Sequence, residues 1–175
     1  MITIRRAASD SDLDHARRLI GLFIAWLKDL NRDDIRNVEA YFASIQPELD
    51  GLPGQYALPS GRLLLAVCGG KVAGMVAMRD LGSGTCEMKR MFVDTAVQGT
   101  GVGRALAEAL IAEARNAGYE RMRLDTGHQQ VAAIGLYKSV GFKEIQPYYD
   151  VSEELRANLT FMELALRPQS SPGSQ

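Results

Sequence analysis

Apolar positions change period several times along the chain, and each change marks an element. Ile2 and Ile4 alternate with polar neighbours, which predicts a short strand over residues 2–6. Ser9-Asp10-Ser11-Asp12 then offers N-cap residues for a helix over about 12–30. Leu13, Ala16, Ile20, Phe23, Leu27 and Leu30 fall at helical spacing there, and Leu19, Leu22 and Trp26 widen the stripe beyond one face. A stripe that wide predicts packing against a sheet on one side and a second helix or a partner subunit on the other. Asp33-Asp34 can start a second helix, about 34–45, that ends before Pro47. Residues 46–61 hold three prolines and three glycines and are predicted to be a loop, long enough to be functional or disordered.

Two apolar runs follow, 62–68 and 72–79, separated by Gly69-Gly70 as in a hairpin. A turn at 81–84 leads to a third run, 85–93, so three strands should form an antiparallel meander. Val102, Leu106 and Leu110 make a helical row over about 101–117, closed by Gly118. Residues 120–125 read as a strand parallel to the one ending at Val93, because a helix joins them. After a turn at 126–128 come a helix over 129–139 and two closing strands, 141–145 and 159–166. Residues 167–175 are a Ser/Pro/Gly tail expected to be disordered. The fold class is therefore α+β with one βαβ crossover, in a single domain over residues 1–167 with a flexible tail at 168–175.

Composition narrows the function classes. The 175 residues are 46% apolar and 23% charged, with net charge −1 and a pI near 6.1. Nothing in that balance draws the chain as a whole to nucleic acid or to a membrane surface. Residues 19–27 are the longest apolar run, too short for a bilayer, and the N-terminus lacks the apolar region of a signal peptide. A cytoplasmic location is the expectation. Cys68 and Cys86 have no metal-ligand spacing, so reduced thiols and no metal are expected.

The chemistry concentrates between Met91 and Leu106. A strand end runs through a short turn into Gly99, Gly101 and Gly103, then straight into a helix. Bare backbone N–H groups at a helix start attract anions, and Arg104 adds a cation where the macrodipole favours an anion. A dinucleotide fingerprint would need glycine at position 104, and a P-loop would need Lys followed by Ser or Thr; Gly103-Arg104-Ala105 satisfies neither. Gln-x-x-Gly-x-Gly, as in Gln98-Gly99-Thr100-Gly101-Val102-Gly103, does fit.

From Glu87 to Phe142 the chain resembles the GNAT superfamily of N-acetyltransferases. Glu87-Met88-Lys89-Arg90-Met91-Phe92-Val93 resembles the fourth strand of a bacterial branch, and Leu124-Asp125-Thr126-Gly127 its fifth. Ala133-Ile134-Gly135-Leu136-Tyr137-Lys138-Ser139-Val140-Gly141-Phe142 is similar to the signature that follows. The first 80 residues agree only in the order of elements. The resemblance implies a mixed, mostly antiparallel sheet of six or seven strands with helices on both faces. It implies acetyl transfer from acetyl-CoA to a primary amine of a small molecule, amino acid or peptide; a non-catalytic acyl-CoA-binding module is the alternative.

By that resemblance, the backbone of Gln98, Gly99, Thr100, Gly101, Val102, Gly103 and Arg104 cradles the coenzyme A pyrophosphate. Met91 and Val93 pair with the pantetheine arm in a splay between the fourth and fifth strands, and a Met91 or Phe92 N–H faces the thioester oxygen. Tyr137 is the acid for the departing thiolate. Gln130 stands where many members have asparagine, so its contact to the arm is open. An ammonium acceptor needs a base. Glu87 is the candidate, on the face of Met91 by strand alternation and roughly 13 Å from it, with a bulge expected to separate it from Lys89. A Glu87–Lys89 surface pair and His128 as base are the competing readings. Lys138 either meets a cofactor phosphate or is solvated, and core packing is the better reading of Trp26, Tyr41 and Tyr56 than a place in the acceptor pocket. The wide stripe around Trp26 is consistent with a homodimer, and no motif identifies the acceptor.

Overall fold

The computed structural model describes residues 1–30 and 35–167. The helix start expected at Asp33-Asp34 and the tail at 168–175 lie outside the described residues. Seven strands, β1 (Ile2–Arg6), β2 (Arg62–Cys68), β3 (Lys71–Gly82), β4 (Thr85–Val93), β5 (Arg121–Gly127), β6 (Lys143–Ile145) and β7 (Leu159–Ala165), form one sheet in the order β1-β2-β3-β4-β5-β7-β6. All neighbours are antiparallel except β4 and β5, which α3 (Val102–Asn116) connects.

Strand alternation divides the core between the two faces. Leu64, Ala66, Val76, Met78, Cys86 and Met88 meet Val102, Leu106, Leu110 and Ala114 of α3 on one side. Leu63, Leu65, Met75 and Ala77 meet Ala16, Leu19, Ile20 and Ile24 of α1 (Asp10–Leu30) on the other, with Ile45 and Leu49 of α2 (Ile35–Asp50) behind. Alanine at 107 and 114, both with no exposed surface, lets α3 lie close on the sheet. Gly118 takes φ +89 just past Ala117, the C-cap of α3, and the Tyr119 N–H closes back on the Ala114 carbonyl at 3.1 Å, so glycine ends the helix as expected.

Several expectations fail. The second helix continues through Pro47 to Asp50, where a loop was expected from residue 46. Proline removes one helical hydrogen bond, but Ile45 and Leu49 on either side of it are buried against α1, and that burial outweighs the lost bond. A 3-10 turn, Gly54–Tyr56, then seats Tyr56 in the core at 2% exposure, so residues 46–61 are largely ordered. The short helix α5 (Glu153–Asn158) was also not foreseen; α4 (Val131–Ser139) was.

The bulge in β4 falls elsewhere than expected. Met75 pairs with Phe92 and Ala77 with Lys89, so Val76 alone faces both Arg90 and Met91. Arg90 sits at the kink with φ +54. Glu87 and Lys89 therefore stay in regular alternation and on one face. Beyond the bulge the faces exchange: Phe92 packs on the α1 side and Met91 against the α3 side. Glu87 and Met91 do not share a face.

Candidate active site

β4 and β5 pair only through Thr85–Arg121, Cys86–Met122 and Glu87–Arg123. Both strands continue, β4 to Val93 and β5 to Gly127, while β5 goes on pairing with β7 to its end. The edge of β4 that faces β5 therefore has no strand partner after Glu87 among the described residues. The splay expected between these strands is present, and it exposes backbone donors and acceptors along one side.

An apolar slot of about 380 Å³ begins at the end of β4, lined by Met91, Phe92, Val93, Gly99, Gly103 and Leu136 among others. A second cleft, about 240 Å³, enters the splay itself and is lined by Lys89, Arg90, Met91, Asp125, Gln130 and Tyr137. Phe23, Met91 and Gln130 border both, so the two join. Trp26, stacked on Phe23 at 6.0 Å, lines the first, and Tyr41 the second. These aromatic side chains are cleft walls, whereas core packing was the expectation; Tyr56 does lie in the core. Most of the broad stripe of α1 is used within the chain: Ala16, Leu19 and Ile20 face the sheet and Phe23, Trp26 and Leu27 the clefts, while Leu22 and Leu30 stay exposed.

The glycine turn closes the far end of the slot. Gly99 and Gly101 take φ +77 and +92, left-handed values that a side chain resists. Gly103 is needed for a different reason: a Cβ there would lie 3.3 Å from Leu136 Cδ2 on α4. The first α3 hydrogen bond runs from the Ala105 N–H to the Gly101 carbonyl at 3.0 Å, so the N–H groups of Val102, Gly103 and Arg104 precede the helical ladder. The turn is braced by its own side chains. Gln98 Nε2 donates to the Val93 carbonyl at 3.1 Å, and Thr100 Oγ1 to the Val97 carbonyl at 2.6 Å. Arg104 reaches Ser139 Oγ at 2.8 Å and Glu108 at 3.3 Å, bridging α3 to α4. Lys138 pairs with Glu144 at 2.6 Å on the exterior.

Tyr137 is 6% exposed, and its hydroxyl has no hydrogen-bond partner among the described residues. No fully enclosed side-chain oxygen among them lacks a partner, so this hydroxyl opens on the splay cleft that the ring lines. Burial, with Asp125 nearby, pushes its pKa above the ordinary 10 and keeps the phenol protonated. Gln130 stands at the N-cap position of α4 without a side-chain capping bond, and its Oε1 accepts from Thr126 Oγ1 at 2.9 Å, which fixes its amide at the mouth of both clefts.

Glu87 is 1% exposed and is no surface residue. Its Oε2 accepts from Arg79 Nε at 2.5 Å and its Oε1 from the Tyr148 hydroxyl at 2.7 Å, and Lys89 Nζ lies 3.8 Å away. Lys89 also donates to Asp125 at 3.2 Å. Thus a carboxylate–ammonium–carboxylate row runs along one sheet face into the cleft that holds Tyr137. His128 lies exposed in the turn after β5. Sequence reasoning missed Asp125, Arg90 and Tyr148. Strand alternation from Arg123 could have found Asp125, whereas Tyr148 sits in the β6–β7 connection with no pattern around it.

The family model described as Acetyltransferase (GNAT) family matches residues 16–142. An uncharacterized N-acetyltransferase of Schizosaccharomyces pombe is 33% identical over 150 residues, 85% of this chain and 86% of that protein. Another uncharacterized N-acetyltransferase, from Dictyostelium discoideum, is 42% identical over 82 residues; that is 47% of this chain and 37% of the relative, so its remainder has no counterpart in the match. Among solved structures, yncA of Salmonella typhimurium, determined with its cofactor acetyl-CoA, superposes with TM-score 0.61 at 25% identity, covering 100% of this chain and 99% of that one.

Proposed function

The chain belongs to the GNAT acetyltransferase family, and from that membership we propose that it transfers an acetyl group from acetyl-CoA to a primary amine by direct attack. The observation that carries the reading is the unpartnered β4 edge, with the glycine turn at one end and the open Tyr137 hydroxyl beside it.

The site fits coenzyme A by its donors and its shape. The N–H groups at the start of α3 and the left-handed glycines offer an anion cradle. The apolar slot suits the pantetheine arm, and the free edge of Met91–Val93 supplies backbone partners to it. Bound there, acetyl-CoA supplies an activated acyl group with a thiolate leaving group.

This chain's residues do the rest. A backbone N–H at the β4 bulge stabilises developing negative charge on the carbonyl oxygen. Tyr137, kept protonated, donates to the departing sulfur. Asp125 attracts the incoming ammonium at the cleft wall. The amine proton leaves through water to Glu87, which the Tyr148 hydroxyl and Lys89 connect to the acceptor face.

Thermal denaturation tests the donor. Stabilisation by acetyl-CoA, growing with its concentration, is expected. Stabilisation by ATP but none by acetyl-CoA would reject the reading.

A further inference from the structure

A third cleft, about 440 Å³, opens on the face that carries Glu87, at the start of β4 and β5. Arg79, Arg121, Arg123, Glu87, Tyr148 and Tyr149 line it, so three guanidinium groups face one carboxylate. Arg79 and Glu87 neutralise each other. Arg123 gives its Nε to Glu163 at 2.7 Å and lies over the Tyr148 ring at 5.3 Å, which leaves its Nη edge to serve a ligand. Arg121 is held more loosely still, 3.9 Å from Glu120, with the two side chains 43% and 56% exposed. An ion pair of that kind contributes little and is easily exchanged.

Arg121, Arg123 and Asp125 share one face of β5, where Met122 and Leu124 take the buried one. Asp125 borders the cleft of Tyr137. The rise of a strand places Arg123 ~7 Å and Arg121 ~13 Å along β5 from Asp125. A ligand that spans both clefts therefore carries an anion ~7–13 Å from the group at Asp125. The nitrogen and carboxylate of a free α-amino acid are too close for that, whereas an extended peptide covers it in two to four residues.

We propose that this cleft takes the carboxylate of the acceptor, and that the acceptor is a short peptide with a free amino terminus and a free carboxyl terminus. The proposal rests on the acetyltransferase reading, whose nitrogen site lies at Asp125 and Tyr137. Arg121 and Arg123 bind the carboxylate, and the rings of Tyr148 and Tyr149, packed edge-on against each other at 5.2 Å, form one wall of the cleft.

Calorimetric titration of the coenzyme A-loaded protein with triglycine, triglycinamide and glycine tests it without turnover. Triglycine should bind about tenfold or more tightly than triglycinamide, as expected for a charge-assisted contact, and glycine should bind more weakly than triglycine. Arg121→Gln, with an unchanged melting temperature, should abolish the preference for the acid, and Arg121→Lys should restore part of it. Equal binding of acid and amide, or binding of neither while coenzyme A is bound, overturns the proposal and leaves the donor site standing. Failure of coenzyme A itself to bind rejects the acetyltransferase reading and the proposal with it.

Discussion

Arg90, at the bulge of β4, donates Nε and Nη2 to the two carboxylate oxygens of Glu48 on α2, at 2.7 and 2.8 Å. Its Nη1 reaches the Tyr41 hydroxyl at 2.6 Å. A left-handed backbone at arginine costs about 1–2 kcal/mol, and this bidentate contact offsets it. The pair ties α2 to the strand edge that borders both clefts. Glu48→Gln should destabilise the fold by about 2–3 kcal/mol in chemical denaturation, because Arg90 is left buried without its counter-charge. A variant as stable as the parent would remove the pair from the account.

The same pair gives a pH dependence. Burial works to raise the Glu48 pKa, but hydrogen bonding and charge from Arg90, with Tyr56 and Lys89, outweigh it and hold it below the ordinary 4.5. A carboxylate lowered in the folded state stabilises above its unfolded value, and that stabilisation is lost as pH falls through the folded value. Stability measured from pH 6 downwards should therefore drop less steeply below pH 4.5 in Glu48→Gln than in the parent. Parallel curves would contradict the assignment.

Gly101→Ala separates conformation from contact. Its Cβ meets nothing within 4 Å, so the substitution carries only the strain of φ +92, about 1 kcal/mol. Relief of that strain tilts the start of α3, so coenzyme A affinity should fall about tenfold or more in titration while the melting temperature changes little. Unchanged affinity would show that the turn does not hold the pyrophosphate.

Tyr137→Phe removes a hydroxyl that has no other partner among the described residues, so the fold should be unaffected. Steady-state kinetics should show kcat lowered about 10²-fold with KM for acetyl-CoA nearly constant. Because burial moves this phenol above its ordinary value, the parent should show no loss of rate from tyrosine ionisation below pH 10. Full activity of the phenylalanine variant would exclude tyrosine as the acid.

Glu87→Gln should lower kcat/KM for the amine about 10²-fold while coenzyme A binding persists. Unchanged kinetics would leave Glu87 as a structural partner of Arg79, Tyr148 and Lys89 with no part in proton transfer.

The crossover, the meander and the glycine turn were legible because each rests on local pattern: period-two strands, a helical alanine row, and glycines whose positive φ has one ready solution. The faces of β4 were not. Alternation holds only until a bulge, and the Arg90 bulge is stabilised by Glu48, 42 residues away, which no window of sequence reveals. Pro47 misled for the same reason, since burial of Ile45 and Leu49 against α1 overrides a local signal. Around the candidate site, the turn from Gln98 to Arg104 into α3 was legible from its glycines, whereas Tyr148 meets Glu87 only through the path of the β6–β7 connection.

Release of free thiol from acetyl-CoA, followed with a panel of amines and short peptides, tests the central claim most directly. Acetyl transfer at the splay predicts thiol release that requires an amine and matches the acetylated amine in amount, and that falls sharply in Tyr137→Phe. Tight acetyl-CoA binding with no thiol release for any amine would contradict it and make the chain a non-catalytic acyl-CoA-binding module.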